Sequence, residues 1–387
     1  MKIAILGTRG IPNNYGGFEQ CAQYLAEGLV EKGHHVTVYN SHSHPYKEHK
    51  WNGVDIVHCF DPESSIGTFG QFIYDLNCIL DARKRGFDVI LQLGYTSSSL
   101  WGWLWPRSAK VTTNMDGLEW KRSKFSAITK KFLLLAERFA VEFSDNLIAD
   151  SKGIQKYLYE KYQKRSVYIP YGAHLFTPIS STDLSRFGLT PYEYNMLIAR
   201  LEPENSIETI LDGIIKSKSQ FPFVVVGDCK TKYGGYIKTK YSGFTNIQFV
   251  GSIYDIVTLN HLRNFSNLYF HGHTVGGTNP SLLEAMASNA LICAHDNIFN
   301  KSILEDNAFY FTSPDDVASL MNSTLLHGRL NEKNQEKIER NRQKIKHEFS
   351  WEKIQEEYLT HFYEITGSKV RQLNFNPPAQ TFQQSSC

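Results

Sequence analysis

The chain has 387 residues, 41% hydrophobic and 21% charged, with a formal net charge of +2. That length predicts two α/β domains of roughly 150–200 residues each, and the composition excludes a disordered chain. A charge balance this close to neutral argues against a nucleic-acid partner. The six cysteines, Cys21, Cys59, Cys78, Cys229, Cys293 and Cys387, form no C-x-x-C pair and several sit in apolar runs. They read as reduced, buried thiols of a cytoplasmic protein. The opening Met1–Gly7 has one lysine and a very short apolar run, which predicts a first strand and not a signal peptide. No stretch approaches the roughly 18 apolar residues of a spanning helix, so a soluble or peripheral protein is expected.

In chain order, β-branched runs predict strands at 2–8, 34–40, 54–60, 88–94, 110–116, 146–151 and 166–171. Helical patterns fall between them near 17–32, 70–85, 124–143 and 152–163. In 124–143 the residues Phe125, Ile128, Phe132, Leu135, Phe139 and Phe143 recur at three- and four-residue steps and predict an amphipathic face. The turn Ile169-Pro170-Tyr171-Gly172 and the polar stretch to about Leu189 break the pattern. It restarts with strands at 195–200, 222–227, 246–251, 267–271, 291–294 and 308–312. Helices at 332–349 and 351–365 follow, and the Asn/Pro/Gln/Ser composition of 368–387 predicts a flexible tail. Alternating strands and helices imply parallel sheets covered on both faces. The expected fold is therefore α/β, with two Rossmann-like domains facing across one cleft at the carboxyl ends of their strands.

Three segments could carry chemistry. The loop Gly7-Thr8-Arg9-Gly10-Ile11-Pro12-Asn13-Asn14-Tyr15-Gly16-Gly17-Phe18-Glu19 joins a strand to a helix, where free amides and the helix dipole favour an anion. Gly16 and Gly17 are its candidate binding residues. It lacks the dinucleotide glycine spacing, and the second strand ends in Tyr39-Asn40 without the acidic residue of an NAD site. In His273–Ala287 a strand meets a glycine turn, Asn279 is a natural N-cap and Pro280 suits the first helical position. The amides of Ser281, Leu282 and Leu283 are then expected to face a diphosphate. Glu284, one turn in, either accepts hydrogen bonds from ribose hydroxyls or only complements the helix dipole. Arg200 at a strand end is placed to neutralise a pyrophosphate, with a surface salt bridge as the plain alternative. Lys230 and Lys232 could add charge nearby.

With these residues in place the chain resembles the GT-B fold retaining glycosyltransferases of family 4, and within them the bacterial rhamnosyltransferase-like branch. The resemblance rests on residues 7–19, Met115-Asp116-Gly117-Leu118-Glu119-Trp120-Lys121-Arg122, Ala199–Asn205 and Gly276–Ala287, and it covers about residues 1–365. It implies an acceptor-binding domain over 1–172, completed by a returning helix at 351–367, and a nucleotide-sugar domain over 173–350. It also implies a metal-independent transfer of a hexose with retention, with no cofactor and dTDP-rhamnose as the favoured donor. The acceptor is a saccharide, expected on a lipid pyrophosphate, in cell-surface polysaccharide synthesis. Arg200 would stabilise the leaving diphosphate, and Asp116 and Glu119 would orient the acceptor hydroxyl. The sequence departs from the family at two positions: Gly276 stands where the motif has its first glutamate, and Asn205 where a diphosphate-binding lysine is usual.

From Arg107 to Arg165 there are thirteen Lys/Arg against seven Asp/Glu, with Lys121, Arg122, Lys124, Lys130 and Lys131 flanking the aromatic helix. Such a surface either docks on anionic lipid, placing the protein on the inner face of the plasma membrane, or is a solvated helix face. Competing readings are an NAD oxidoreductase, against which the missing fingerprint counts, a GT-B isomerase of nucleotide sugars, and a non-catalytic sugar-binding scaffold.

Overall fold

The computed structural model describes residues 1–14, 16–122, 125–178, 182–217, 219–323 and 329–368. Tyr15, Lys124 and the tail from 369 lie outside the described residues. The first half builds strands β1 (Lys2–Leu6), β2 (His35–Ser41), β3 (Lys50–Trp51), β4 (Val54–Cys59), β5 (Val89–Leu93), β6 (Lys110–Asn114), β7 (Asn146–Ala149) and β8 (Val167–Tyr168). Its helices are α1 (Gly17–Glu31), α2 (Glu63–Ile66), α3 (Gly70–Arg85), α4 (Ala127–Phe143) and α5 (Lys152–Tyr162). The strands form one sheet in the order β3-β4-β2-β1-β5-β6-β7-β8. All its pairs are parallel except β3 with β4, and the two-residue β3 is too short to leave a periodic signal in the sequence.

The second half builds β9 (Asn195–Ile198), β10 (Phe223–Val226), β11 (Ile247–Gly251), β12 (Leu268–His271), β13 (Ile292–His295) and β14 (Phe309–Phe311). They form a parallel sheet in the order β11-β10-β9-β12-β13-β14. Helices α6 (Ile207–Ser217), α7 (Lys232–Lys240), α8 (Ile256–Phe265), α9 (Pro280–Ala287), α10 (Ile298–Leu304), α11 (Pro314–Asn322), α12 (Glu332–Glu348) and α13 (Trp351–Thr366) complete it. Strand order reverses between β1 and β5 in one sheet and between β9 and β12 in the other. Those reversals open the crevices where ligands of doubly wound sheets bind. The expected two-sheet α/β fold is what forms.

Each sheet is apolar through its centre. Ile3, Ile5, Val36, Val38, Val89 and Leu91 fill the first core, and Leu197, Phe223, Val225 and Phe270 fill the second. Helix α13 returns to the first half. Trp351 packs on Tyr24 of α1 with ring centroids 4.9 Å apart, Gln355 donates to the Tyr24 carbonyl at 2.8 Å, and His361 meets the Thr112 hydroxyl at 2.9 Å. The two chain crossings between halves run side by side, since the Ala173 amide donates to the Phe349 carbonyl at 2.8 Å.

Helix α4 corrects one expectation. It begins at Ala127, capped by the Ser126 hydroxyl, and buries Leu133, Ala136, Ala140 and Val141. The periodic residues divide: Ile128 is 83% exposed and Leu135 44% exposed, while Phe125, Phe132, Phe139 and Phe143 are half-buried, Phe143 against Gly102 and Phe132 against Phe72. Helix α3 shows the same behaviour. Tyr74, Cys78, Ile79 and Ala82 face the core, while Ile73 and Leu80 are exposed and continue an outer stripe begun by Ile66 and Phe69 before the helix, with Phe69 72% exposed. The stripes meet where Phe72 and Phe132 approach to 5.8 Å between ring centroids. No helix among the described residues is long and apolar enough to cross a membrane.

Candidate functional site

The strand-order reversals face each other, and the halves touch there through small groups. A Cβ on Gly117 would lie 3.1 Å from the Gly276 Cα, and one on Gly17 would lie 3.4 Å from Pro280. The N-termini of α1 and α9 therefore converge, and positive partial charge from both dipoles points into one cleft. Gly16 is the N-cap of α1 and has no side chain to satisfy the first amides.

The α9 terminus differs from expectation. The Asn279 side chain accepts from the Ser281 amide at 2.9 Å, and the Asn279 carbonyl accepts from Leu282 and Leu283 at 3.0 and 3.2 Å. Those three amides are spent inside the cap, because Asn279 satisfies them as a good N-cap does. Glu284 is also engaged. One oxygen accepts from Arg263 at 2.7 Å and the other from Gln20 of α1 at 3.1 Å. Arg263, 1% exposed, also reaches the Ser281 hydroxyl and Asn260. The carboxylate thus neutralises a buried guanidinium and bridges the two halves.

Arg200 follows β9 and is exposed, and among the described residues its guanidinium makes no hydrogen bond or ion pair. It stands close enough to Glu119 and His273 to influence both. Asn205 is buried and donates to the Arg200 carbonyl at 2.6 Å, so its amide shapes the turn. Lys230 and Lys232 lie exposed after β10, and among the described residues neither ammonium has a hydrogen bond or ion pair.

From the first half, the loop after β6 supplies Asp116 and Glu119. Asp116 holds φ at +30°, an uncommon backbone for a non-glycine residue, and its carboxylate accepts from the Tyr171 hydroxyl at 3.4 Å. Burial raises the Glu119 carboxyl, partly offset by Arg122, which pairs with it at 2.7 Å. Arg122 also approaches Glu204 of the second half at 3.9 Å. It therefore belongs to the cleft and not to the lipid-facing cations.

Sequence reading missed five side chains here. Asp150, just past β7, is 1% exposed, and neither carboxylate oxygen meets a donor at bonding geometry although the Thr278 amide lies beside it. Burial pushes its carboxyl well above the usual range, and the neighbouring Asp116 adds to the shift. Gly277 is essential to this approach, since a Cβ there would sit 1.9 Å from an Asp150 oxygen. Tyr269 and His271 share one face of β12, and His273 follows at the same spacing just past its end. His271 and His273 stack with centroids 4.4 Å apart, and both His271 nitrogens and the His273 Nδ1 are buried without partners. Their period-two spacing was the available signal. Arg263 and Asp150 carried none, because their roles depend on burial.

A separate cavity of about 250 Å³ opens at the carboxyl ends of β1, β2 and β4, lined among others by Arg9, Ser41, His44, Asp61 and Glu63. Arg9 pairs with Glu63 at 2.7 Å, and Asp61 accepts from the Ser41 hydroxyl at 2.7 Å. With Glu19 also on its wall, the lining is net acidic.

Residues 104–174 match a family model described as a domain of unknown function (DUF1972), a stretch that holds Asp116, Glu119, Arg122 and Asp150. A curated relative, an uncharacterized 42.6 kDa protein in the cps region of Klebsiella pneumoniae, is 44% identical over 59 residues. The match spans 15% of this chain and 16% of that relative's length. Among solved structures, sucrose-phosphate synthase from Thermosynechococcus elongatus superposes with a TM-score of 0.78 at 18% identity, covering 95% of this chain and 100% of that one. The Anabaena HepE protein in complex with UDP-glucose gives 0.72 at 14% identity, covering 94% and 100%. The catalytic domain of starch synthase IV from Arabidopsis thaliana, bound to ADP and acarbose, gives 0.68 at 13% identity, covering 95% and 99%. At these identities the likeness is one of fold, and the fold is GT-B.

Proposed function

We propose that the protein is a glycosyltransferase that takes a hexose from a nucleoside diphosphate donor in this cleft. The observation that carries the reading is the unpaired Arg200 guanidinium, held where two strand-order reversals and two helix N-termini converge. A cation free of other partners at the cleft can pair with the charge that develops on a leaving diphosphate. The complexes of similar fold with UDP-glucose and ADP support a nucleotide-sugar donor.

The finer reading is a retaining, metal-independent transfer of rhamnose from dTDP-rhamnose. Asp116 and Glu119 face the acceptor side, where the Asp116 carboxylate is held by Tyr171. The net acidic cavity beside the opening loop suits an uncharged sugar of the acceptor and disfavours an anionic one. A lipid-pyrophosphate-linked acceptor is favoured by the outer apolar stripes of α3 and α4. Lys131 and Arg138 lie at helical spacing beside Ile128 and Leu135, so the face is apolar and cationic together. The cps-region relative is consistent with surface polysaccharide synthesis.

The test is a transfer assay read by mass spectrometry, with dTDP-rhamnose, UDP-, GDP- and ADP-hexoses and a hexose-pyrophosphate-lipid acceptor, in the presence of EDTA. A deoxyhexose increment with dTDP-rhamnose alone supports the whole reading. Transfer of another hexose removes the rhamnose assignment, and loss of activity in EDTA removes metal independence. No transfer from any donor overturns the enzyme reading.

A further inference from the structure

The cleft holds an imidazole that the fold does not explain. His273 leaves the end of β12 with its backbone fixed on both sides. Its carbonyl accepts from Asn297 at 2.9 Å and from Asn300 at 3.1 Å, and the next residue, Thr274, donates to the Glu204 carbonyl through its amide and its hydroxyl at 3.0 and 2.8 Å. The ring itself bonds to nothing among the described residues, and its buried Nδ1 is unpartnered. Only the parallel stack on His271 orients it, with an interplanar angle of 13°. The pinned ring leaves Nε2, the nitrogen that is not closed off, without a bond among the described residues and open to a partner from the cleft.

The surroundings select that partner. Burial disfavours protonation of His273, and the charged groups near enough to add to this are Arg200 and Arg122. Glu119 pairs with Arg122 at 2.7 Å and Glu204 approaches it at 3.9 Å, while Arg200 is in no ion pair among the described residues. A ligand that satisfies Arg200 and the imidazole together carries negative oxygens. Asn205 cannot serve as the second contact, because it is 4% exposed and its amide is bonded to the Arg200 carbonyl.

We infer that His273 donates a hydrogen bond to the donor's diphosphate beside Arg200, with His271 as the positioning residue that holds the ring. The inference rests on the donor-cleft reading above and adds a residue to it. A neutral imidazole suffices in the tautomer that carries its proton on Nε2, the nitrogen that is not closed off. Hydrogen bonds to charged groups are stronger than neutral ones, so the contact is worth roughly tenfold or more in affinity.

The experiment is calorimetric titration of the full chain with UDP, ADP, GDP and dTDP, and with the matching nucleoside of whichever binds. His273→Ala is expected to weaken the diphosphate about tenfold or more while leaving the nucleoside unchanged. His273→Asn, which keeps a donor, should recover part of the loss. An unchanged diphosphate affinity in His273→Ala overturns the inference and leaves the donor-cleft reading intact, as does an equal loss for the nucleoside, which marks a structural role. Should His273→Ala fail to fold, the Asn variant decides by the same comparison with wild type. If the wild type binds none of the four diphosphates, the donor-cleft reading itself falls.

Discussion

Arg263 and Glu284 form a buried ion pair at 2.7 Å, and the second Glu284 oxygen takes Gln20 from the opposite half of the molecule. Removing one member of such a pair strands the other charge, which typically costs about 3–5 kcal/mol. Glu284→Ala is therefore expected to lower the thermal midpoint as well as nucleotide binding, and Glu284→Gln to retain part of the fold because its amide oxygen still accepts. Melting curves beside binding isotherms separate the two effects. An unshifted midpoint in Glu284→Ala would show that Arg263 finds another partner.

Gly277 predicts a defect of a different kind. Its φ is not the constraint; space is, since any side chain would enter the Asp150 carboxylate. Gly277→Ala should hold the halves apart at a cost of about 1–3 kcal/mol, as overpacking does. Small-angle scattering with and without nucleotide reads this out. Compaction equal to that of wild type removes the argument.

Stability should carry a pH signature from Asp75. Burial pushes its carboxyl from the ordinary range up to about 7, with Asp61 adding to the shift and the Ser97 hydroxyl opposing it. A carboxyl raised in the folded state is protonated there first, so its favourable contribution is complete below about pH 4 and is lost as pH rises to about 7. Asp75→Asn should flatten the fall in thermal midpoint between pH 5 and 8 and raise the midpoint at pH 8. A parallel pair of pH–midpoint curves would falsify this assignment.

The outer stripes predict vesicle binding. The wild type should sediment with phosphatidylglycerol vesicles more than with phosphatidylcholine ones, weakening as salt rises. Phe69→Ser with Ile128→Ser should abolish sedimentation, and Lys131→Glu should reduce it by about 1 kcal/mol or more. Concentration-dependent dimers in light scattering, lost in the same serine variants and without vesicle binding, would assign the face to a second copy instead.

Much of this architecture was legible in the residues, and the reasons for success and failure are physical. Strand positions followed from β-branched runs because buried parallel strands need them, and α9 followed from the Asn279-Pro280 start. The burial of α4 was legible only in part. Its aromatic period is real and the four phenylalanines of that period are half-buried, but the face turned to the core carries Leu133, Ala136, Ala140 and Val141, and Ile128 and Leu135 are left outside. Glu284 was found by position, but its partner was not, since nothing local in α8 marks Arg263 as buried. Arg122 was read as a surface cation for the same reason: pairing with Glu119 and Glu204 is a tertiary event.

The return of α13 has a consequence for biosynthesis. Trp351, Tyr358 and Phe362 belong to the core of the sheet that is translated first, yet they leave the ribosome after the entire second sheet. During synthesis α1 waits with an uncovered apolar face, and Thr112 and Asn114 of β6 without His361 and Tyr358, while the second half acquires its own core. A nascent chain halted before Trp351 would expose that face to chaperones, and the first half expressed alone as residues 1–172 would lack the helix that closes it.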